Sequence, residues 1–241
     1  MLELKNISWS TPEGIPVLTD VSLVVPDNKL IVITGPNGGG KTTLAKIIAG
    51  LLVPLGGSIL LDGEDITQID ITERAKKGIS FAFQQPVRFK GITVRQLMEL
   101  AAGGSVDENL MCSMLSSVGL CAREYLGREV NATLSGGEIK RIEIATVLAR
   151  HSKLSIFDEP EAGIDLWSFS NLIKVFDEMR SSLKGTLMII SHQERILQIA
   201  DELVVIADGK VSQKGEVSDV LPLLLNSEND CSSCARKEVF V

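Results

Sequence analysis

Leu30-Ile31-Val32-Ile33-Thr34 runs directly into Gly35-Pro36-Asn37-Gly38-Gly39-Gly40-Lys41-Thr42-Thr43, and this stretch decides the fold. Its opening residues are a short apolar run with β-branched side chains, the composition of a strand buried in a parallel sheet. Gly35 to Thr42 then fits the spacing G-x-x-x-x-G-K-[ST], and a helical pattern follows until Gly50 stops it. Strand, glycine-rich loop and helix in that order make an anion cradle. Glycines let backbone N–H groups close around phosphate oxygens, and the helix starting near Lys41 adds the positive end of its dipole. Lys41 is placed to reach the β- and γ-phosphates of a nucleotide, and the Thr42 hydroxyl to ligate Mg²⁺. The remaining loop positions, Gly35 through Gly40 and Thr43, are expected to contact the same phosphates.

Outward from the loop, strand and helix patterns alternate. Residues 2–7 alternate apolar and polar as a half-buried strand does, and 17–25, 57–61 and 78–83 read as further strands. From Pro86 to about Val130 the pattern changes to short helices broken by Gly91, Gly103-Gly104 and Gly127. This predicts an inserted helical subdomain, about 86–145. A helix opens at Ser135, a strand covers 154–157, and helix, strand and helix follow at 167–183, 186–191 and 193–200. Asp208-Gly209 turns a hairpin between 203–207 and 210–211. The polar stretch from Asn226 is expected to be loosely ordered. The result is an α/β domain over 1–225, with a mainly parallel sheet covered on both faces and a polar tail at 226–241.

Composition narrows the function. The chain has 241 residues, of which 44% are hydrophobic and only 4% aromatic, so Ile, Val and Leu must fill the core. A net charge of -7 argues against nucleic acid as the main partner. No apolar run approaches the roughly 20 residues of a spanning helix, and Met1-Leu2-Glu3-Leu4-Lys5 lacks the features of a signal peptide. Membrane association would therefore come through a partner, and a cytoplasmic location is expected. Of the four cysteines, Cys231 and Cys234 have the spacing of a metal or redox pair. Two thiolates do not complete a tetrahedral site, so incidental thiols on a tail are the favoured reading.

The chain resembles the ATP-binding cassette (ABC) family over nearly its whole length. Leu134-Ser135-Gly136-Gly137-Glu138 is similar to that family's signature motif, and 154–159 ends in Asp158-Glu159 after an apolar strand. The resemblance implies a P-loop NTPase ABC-ATPase fold with an N-terminal antiparallel β region. It also implies ATP as substrate and Mg²⁺ as cofactor, held by Thr42, Asp158 and Gln84. In the same terms Glu159 polarises the attacking water, Gln84 links the helical subdomain to the core, and His192 contacts the γ-phosphate. Gln85 is the alternative to Gln84 by one residue. Ser135 and Gly137 would cap ATP bound to a second copy, with Asp165 facing that copy, so hydrolysis would occur in a nucleotide-sandwich dimer. The family stacks an aromatic on adenine near position 11. Thr11 cannot stack, and Trp9 is either that aromatic or a packing residue.

Within the family, four segments resemble the Suf-system ATPase of iron–sulfur cluster assembly, SufC. They are Ser135-Gly136-Gly137-Glu138-Ile139-Lys140-Arg141, Phe81 to Val87 followed by Gly91-Ile92, Glu161, and His192 to Leu197. That resemblance implies a SufB/SufD-type scaffold as partner. The alternative is the ATP-binding subunit of a membrane transporter, with membrane subunits as partners.

Overall fold

The computed structural model describes residues 1–234 apart from 86, 132, 183 and 184. Two sheets sandwich the helix that follows the glycine-rich loop. The first is antiparallel: β1 (Leu2–Ser10) lies between β2 (Pro16–Val25) and β4 (Gly56–Leu61), and the short β5 (Glu64–Asp65) completes the order β2-β1-β4-β5. β3 (Leu30–Thr34) belongs to the second sheet. With β6 (Ile79–Ala82), β7 (Leu154–Asp158), β8 (Thr186–Ile190), β9 (Glu202–Ala207) and β10 (Lys210–Glu216) it forms the order β10-β9-β3-β8-β7-β6. All neighbours there are parallel except the β9–β10 hairpin.

Burial on both faces follows from the residue pattern of β3. Ile31 and Ile33 pack into one cluster with Leu44, Ile47 and Ile48 of α1 (Lys41–Ala49) and with the antiparallel sheet. Leu30 and Val32 point the other way, into a second cluster that holds most of the remaining helices. A strand whose successive side chains are all apolar is stable only between two such layers.

The helices between β6 and β7 are α3 (Val94–Ala102), α4 (Glu108–Ser117), α5 (Ala122–Tyr125) and α6 (Gly136–Arg150). α2 (Ile71–Lys76) precedes β6, and α7 (Leu166–Ser182), α8 (Glu194–Gln198) and α9 (Val217–Cys234) complete the chain. α6 runs unbroken through residue 145, where the subdomain boundary was expected, because Ile139, Ile142, Ile144, Ala145, Val147 and Ala149 are buried along its length. α9 carries regular structure into the stretch expected to be loose. Val217, Val220, Leu221 and Leu224 recur at helical spacing and pack on the second cluster. The side chains of Cys231 and Cys234, and the tail at 235–241, lie outside the described residues.

One buried cation fixes the far end of α1. Arg74, 1% exposed, donates Nη1 to the Ile47 and Ile48 carbonyls at 2.6 and 2.9 Å. Its Nη2 and Nε reach the Thr67 and Ile69 carbonyls, both at 2.9 Å. The guanidinium thus ties carbonyls at the C-terminal end of α1 to those of the segment before α2. Replacing Arg74 with Met should lower stability by about 1–3 kcal/mol, the range for leaving buried carbonyl acceptors without their donor. Urea unfolding measures it, and a loss under 1 kcal/mol (a typical surface change) would contradict this role.

Candidate active site

The phosphate loop is shaped by how closely other backbone approaches it. A Cβ at Gly35 (φ +129°) would meet the Ile206 carbonyl oxygen of β9 at 2.1 Å, so only glycine fits there. Gly40 (φ +102°) caps α1, and a Cβ on it would meet Leu18 Cδ2 at 2.6 Å. The loop closes through Gly39 N–H donating to the Pro36 carbonyl at 3.1 Å. Lys41 is 6% exposed, and its ammonium donates to the Gly35 and Pro36 carbonyls, each at 2.9 Å. Burial lowers the Lys41 pKa, and the nearby Glu159 and Asp158 carboxylates oppose that shift.

Strands β3, β7 and β8 all deliver their C-terminal ends to this loop, the end of a parallel sheet where ligands bind. Asp158, 1% exposed, closes β7 and accepts the Thr42 hydroxyl on Oδ1 at 3.0 Å. Its Oδ2 is buried with no hydrogen-bond partner among the described residues. Burial, the largest effect, pushes the Asp158 carboxyl above its ordinary value. A bare carboxylate oxygen beside a threonine hydroxyl is an oxygen donor pair suited to a hard divalent cation, so these residues fit Mg²⁺.

Glu159 follows in the left-handed conformation (φ 45°), with its N–H donating to the Ile190 carbonyl at 3.0 Å. Holding a non-glycine residue there is unfavourable by about 1–3 kcal/mol, the kind of strain that clusters at functional sites. The turn sets Glu159 beside Val17, Asn37, Gly38, Gly40, Lys41, Thr42 and Thr43, lining one cleft of about 240 Å³. From the end of β6, Gln84 Nε2 donates to Glu159 Oε2 at 2.5 Å. This contact distinguishes Gln84 from its neighbour Gln85. Trp9 pairs with Leu18 across β1 and β2 and packs, partly buried, against the core.

Ser135 and Gly137 lie apart from that cleft, at the start of α6. The Ser135 hydroxyl accepts the Glu138 N–H at 3.2 Å, and Glu138 Oε2 accepts the Ser135 N–H at 2.6 Å, a reciprocal cap. The Tyr125 hydroxyl also donates to Glu138, and Arg128 stacks 5.0 Å over the Tyr125 ring. Tyr125 first, then the Ser135 amide, draw the Glu138 pKa down to about 2. Asp165 accepts the Ser168 N–H at 3.0 Å and the Ser168 hydroxyl at 2.7 Å at the start of α7. His192 is exposed just beyond β8. Its neighbour Ser191 donates to Glu161 and accepts the Gln193 N–H at 3.0 Å.

Two groups near the site received no catalytic role from motif reading, although Lys140 and Glu161 fall in the segments quoted for the Suf-system resemblance. Lys140, 1% exposed, and Glu143 sit at i, i+3 on α6 and grip the backbone of Phe83 beside Gln84. Their signal was a pair of charges on the apolar face of a helix, between Ile139, Ile142 and Ile144. Glu161 is the other: burial raises its pKa, the Ser191 hydrogen bond partly offsets this, and its Oε2 has no hydrogen-bond partner among the described residues.

Because the Glu161 pKa is raised on folding, its favourable contribution is complete below the unfolded value of 4.5 and is lost as pH rises through the folded value. Glu161→Gln should therefore raise Tm at pH 8 by about 2–4 °C, the shift for roughly 1 kcal/mol in a domain this size. The gain should shrink as pH falls towards 4.5; a gain independent of pH would contradict a buried charge at this position. Glu138 runs the opposite way, its stabilisation present above 4.5 and lost on acidification towards its folded value of about 2.

Comparison with known proteins identifies the family. A model of the ABC transporter family matches residues 18–162. The chain is 37% identical over 230 residues to an uncharacterized ABC transporter ATP-binding protein of Methanocaldococcus jannaschii, covering 92% of this chain and 90% of that one. It is 34% identical over 208 residues to the sulfate/thiosulfate import ATP-binding protein CysA of Synechocystis sp., covering 84% of this chain and 57% of CysA. Among solved structures, a dimeric ATP-binding cassette in a post-hydrolysis state, bound to ADP and Pi, superposes with a TM-score of 0.80. The identity there is 23%, with 90% of this chain and 99% of that one covered. By the family match, the extent of these relatives and a phosphate loop facing paired carboxylates, the chain belongs to the ABC transporter family, as an ATP-binding-cassette ATPase.

Proposed function

We propose that this chain hydrolyses MgATP in a head-to-tail dimer with a second copy and transmits the resulting motion to a membrane transporter subunit. The observation that carries the chemistry is the buried Asp158 Oδ2 beside Thr42, with Glu159 held by Gln84 at the mouth of the same loop. In this reading residues 1–225 are one cassette, with the helical part at about 86–145 and a tail at 226–241.

The loop amides from Gly35 to Thr43 cradle the phosphates, and Lys41 exchanges its loop carbonyls for β- and γ-phosphate oxygens. Thr42, Asp158 and Gln84 would hold Mg²⁺, which when bound neutralises charge on the phosphates. Glu159 orients and polarises the attacking water, and His192 steadies the γ-phosphate. Ser135 and Gly137 of the second copy present a helix N-terminus to that phosphate, and Asp165 faces the opposing chain.

The groove between the sheet and the helices is lined by Phe81, Phe83, Val87, Phe89, Leu97 and neighbouring residues of α6. Val87 and Phe89 are exposed large apolar side chains there. We infer that a helix of the membrane subunit seats in this groove. The names of the relatives support that load over the SufB/SufD-type scaffold. The scaffold reading keeps the four local matches to Suf-system ATPases, and it would place a helical end of the scaffold in the same groove.

Glu159→Gln should retain MgATP binding, lose turnover by about 10²–10⁴-fold as expected for removal of a general base, and accumulate as a dimer. Parent-rate hydrolysis by that variant would remove Glu159 from its role. Lys41→Ala should weaken nucleotide binding by at least about tenfold, or ~1.4 kcal/mol, in a titration. Unchanged affinity would contradict the loop assignment. Affinity purification of Glu159→Gln with MgATP separates the loads: a multi-span membrane protein supports transport, and a scaffold carrying an iron–sulfur cluster supports the alternative.

A further inference from the structure

Phe83 is the first residue past β6, where the chain leaves the sheet edge and leads to Gln84. Both polar groups of its backbone are taken by one turn of α6. The Phe83 N–H donates to Glu143 Oε1 at 2.9 Å, and the Lys140 ammonium donates to the Phe83 carbonyl. The same ammonium reaches the Gln84 carbonyl at 3.4 Å and lies 3.6 Å from Glu143 Oε2. A lysine only 1% exposed and a glutamate 15% exposed are a poor way to pack a helix on a sheet, since apolar side chains would do so without desolvating charge. These charges are matched to the peptide preceding the glutamine whose side chain meets Glu159. The helix that carries them begins at Ser135, just over one turn before Lys140.

We propose that Lys140 and Glu143 are positioning residues for hydrolysis. They fix the Phe83–Gln84 backbone so that the Gln84 amide engages one oxygen of Glu159 and leaves the other to the water. They also make that placement follow α6, so that an anion drawn to the Ser135 end by a second copy is felt at Gln84. The inference rests on the reading of Glu159 and Gln84 given above. It adds two residues that touch neither nucleotide nor water.

The test measures kcat, KM for MgATP and nucleotide affinity for Lys140→Met and Glu143→Gln, each in the parent and in a Gln84→Ala background, with single-turnover assays for slow variants. Lys140→Met keeps the buried stem and removes the ammonium. Glu143→Gln keeps an acceptor for the Phe83 amide and removes the charge. Lys140→Met should lower kcat by about tenfold or more, as misplacement of a catalytic group does, with a smaller drop for Glu143→Gln. KM and affinity should stay within about twofold, because nothing that binds the nucleotide has changed. In the Gln84→Ala background neither substitution should lower kcat further. A folded Lys140→Met with parent kcat overturns the proposal, and so does an equal fractional loss with and without Gln84. If Lys140→Met melts early, Glu143→Gln must show the same split. Glu159→Gln serves as the control: parent-rate turnover there would discredit the underlying site, whereas loss of turnover there with intact kcat in Lys140→Met discredits the positioning pair alone.

Discussion

The site depends on one electrostatic constraint: a carboxylate, Asp158, buried to 1% exposure at the end of a parallel strand, with one oxygen that has no hydrogen-bond partner among the described residues. Burial alone works against the charged form, and the Thr42 hydroxyl offsets only part of that. A cation restores the balance, and its arrival would place positive charge where phosphate oxygens enter. The phosphate loop is held opposite by backbone packing. Gly35 lies so close to the Ile206 carbonyl that no side chain could be accommodated, so the loop keeps its register with β9. The ends of interior strands of one sheet therefore set the distance between cation ligands and anion cradle.

Around this fixed pair lie the parts that can shift. Gln84 and Glu159 stand on turns just beyond strand ends, and Glu159 sits in a strained backbone conformation. α6 connects them to its Ser135 end, the half-site proposed for a second copy. Its first turn is stiffened by the reciprocal cap of Ser135 and Glu138 and by Tyr125 and Arg128. Its second turn carries the Lys140–Glu143 grip on Phe83. A helix capped firmly at one end and attached to a catalytic loop farther along acts as a lever, and both half-sites then answer to one element.

Much of this was legible in the sequence because it was written in short, contiguous patterns. The apolar run at 30–34, the glycine spacing to Thr42 and the carboxylates after 154–157 each name a local structure with one purpose. The grip of α6 on Phe83 was not legible, since it joins residues 57 and 60 positions apart through side chain to backbone bonds that no local pattern encodes. The pairing of Gln84 with Glu159 is equally remote, at 75 positions, and was reached by resemblance and not by spacing. α9 is a different case: the apolar spacing of Val217, Val220, Leu221 and Leu224 was there to be read as a helix and was passed over, although it lies before the polar stretch that starts at Asn226. Trp9 was ambiguous because strand alternation gives a face and not a neighbour. It packs, partly buried, against the core.

The central claim is that each ATP is hydrolysed between the phosphate loop of one chain and the Ser135 end of α6 of another. Mixing Lys41→Ala with Ser135→Arg, after each is purified alone and allowed to exchange subunits, tests it directly. Each variant by itself should be inactive. In an equal mixture half the dimers pair the two variants and each such dimer holds one intact composite site, so about one quarter of the parent activity should return. A mixture as inactive as its components, with mixed dimers demonstrated, would show that both halves of the site act within one chain and would contradict the account.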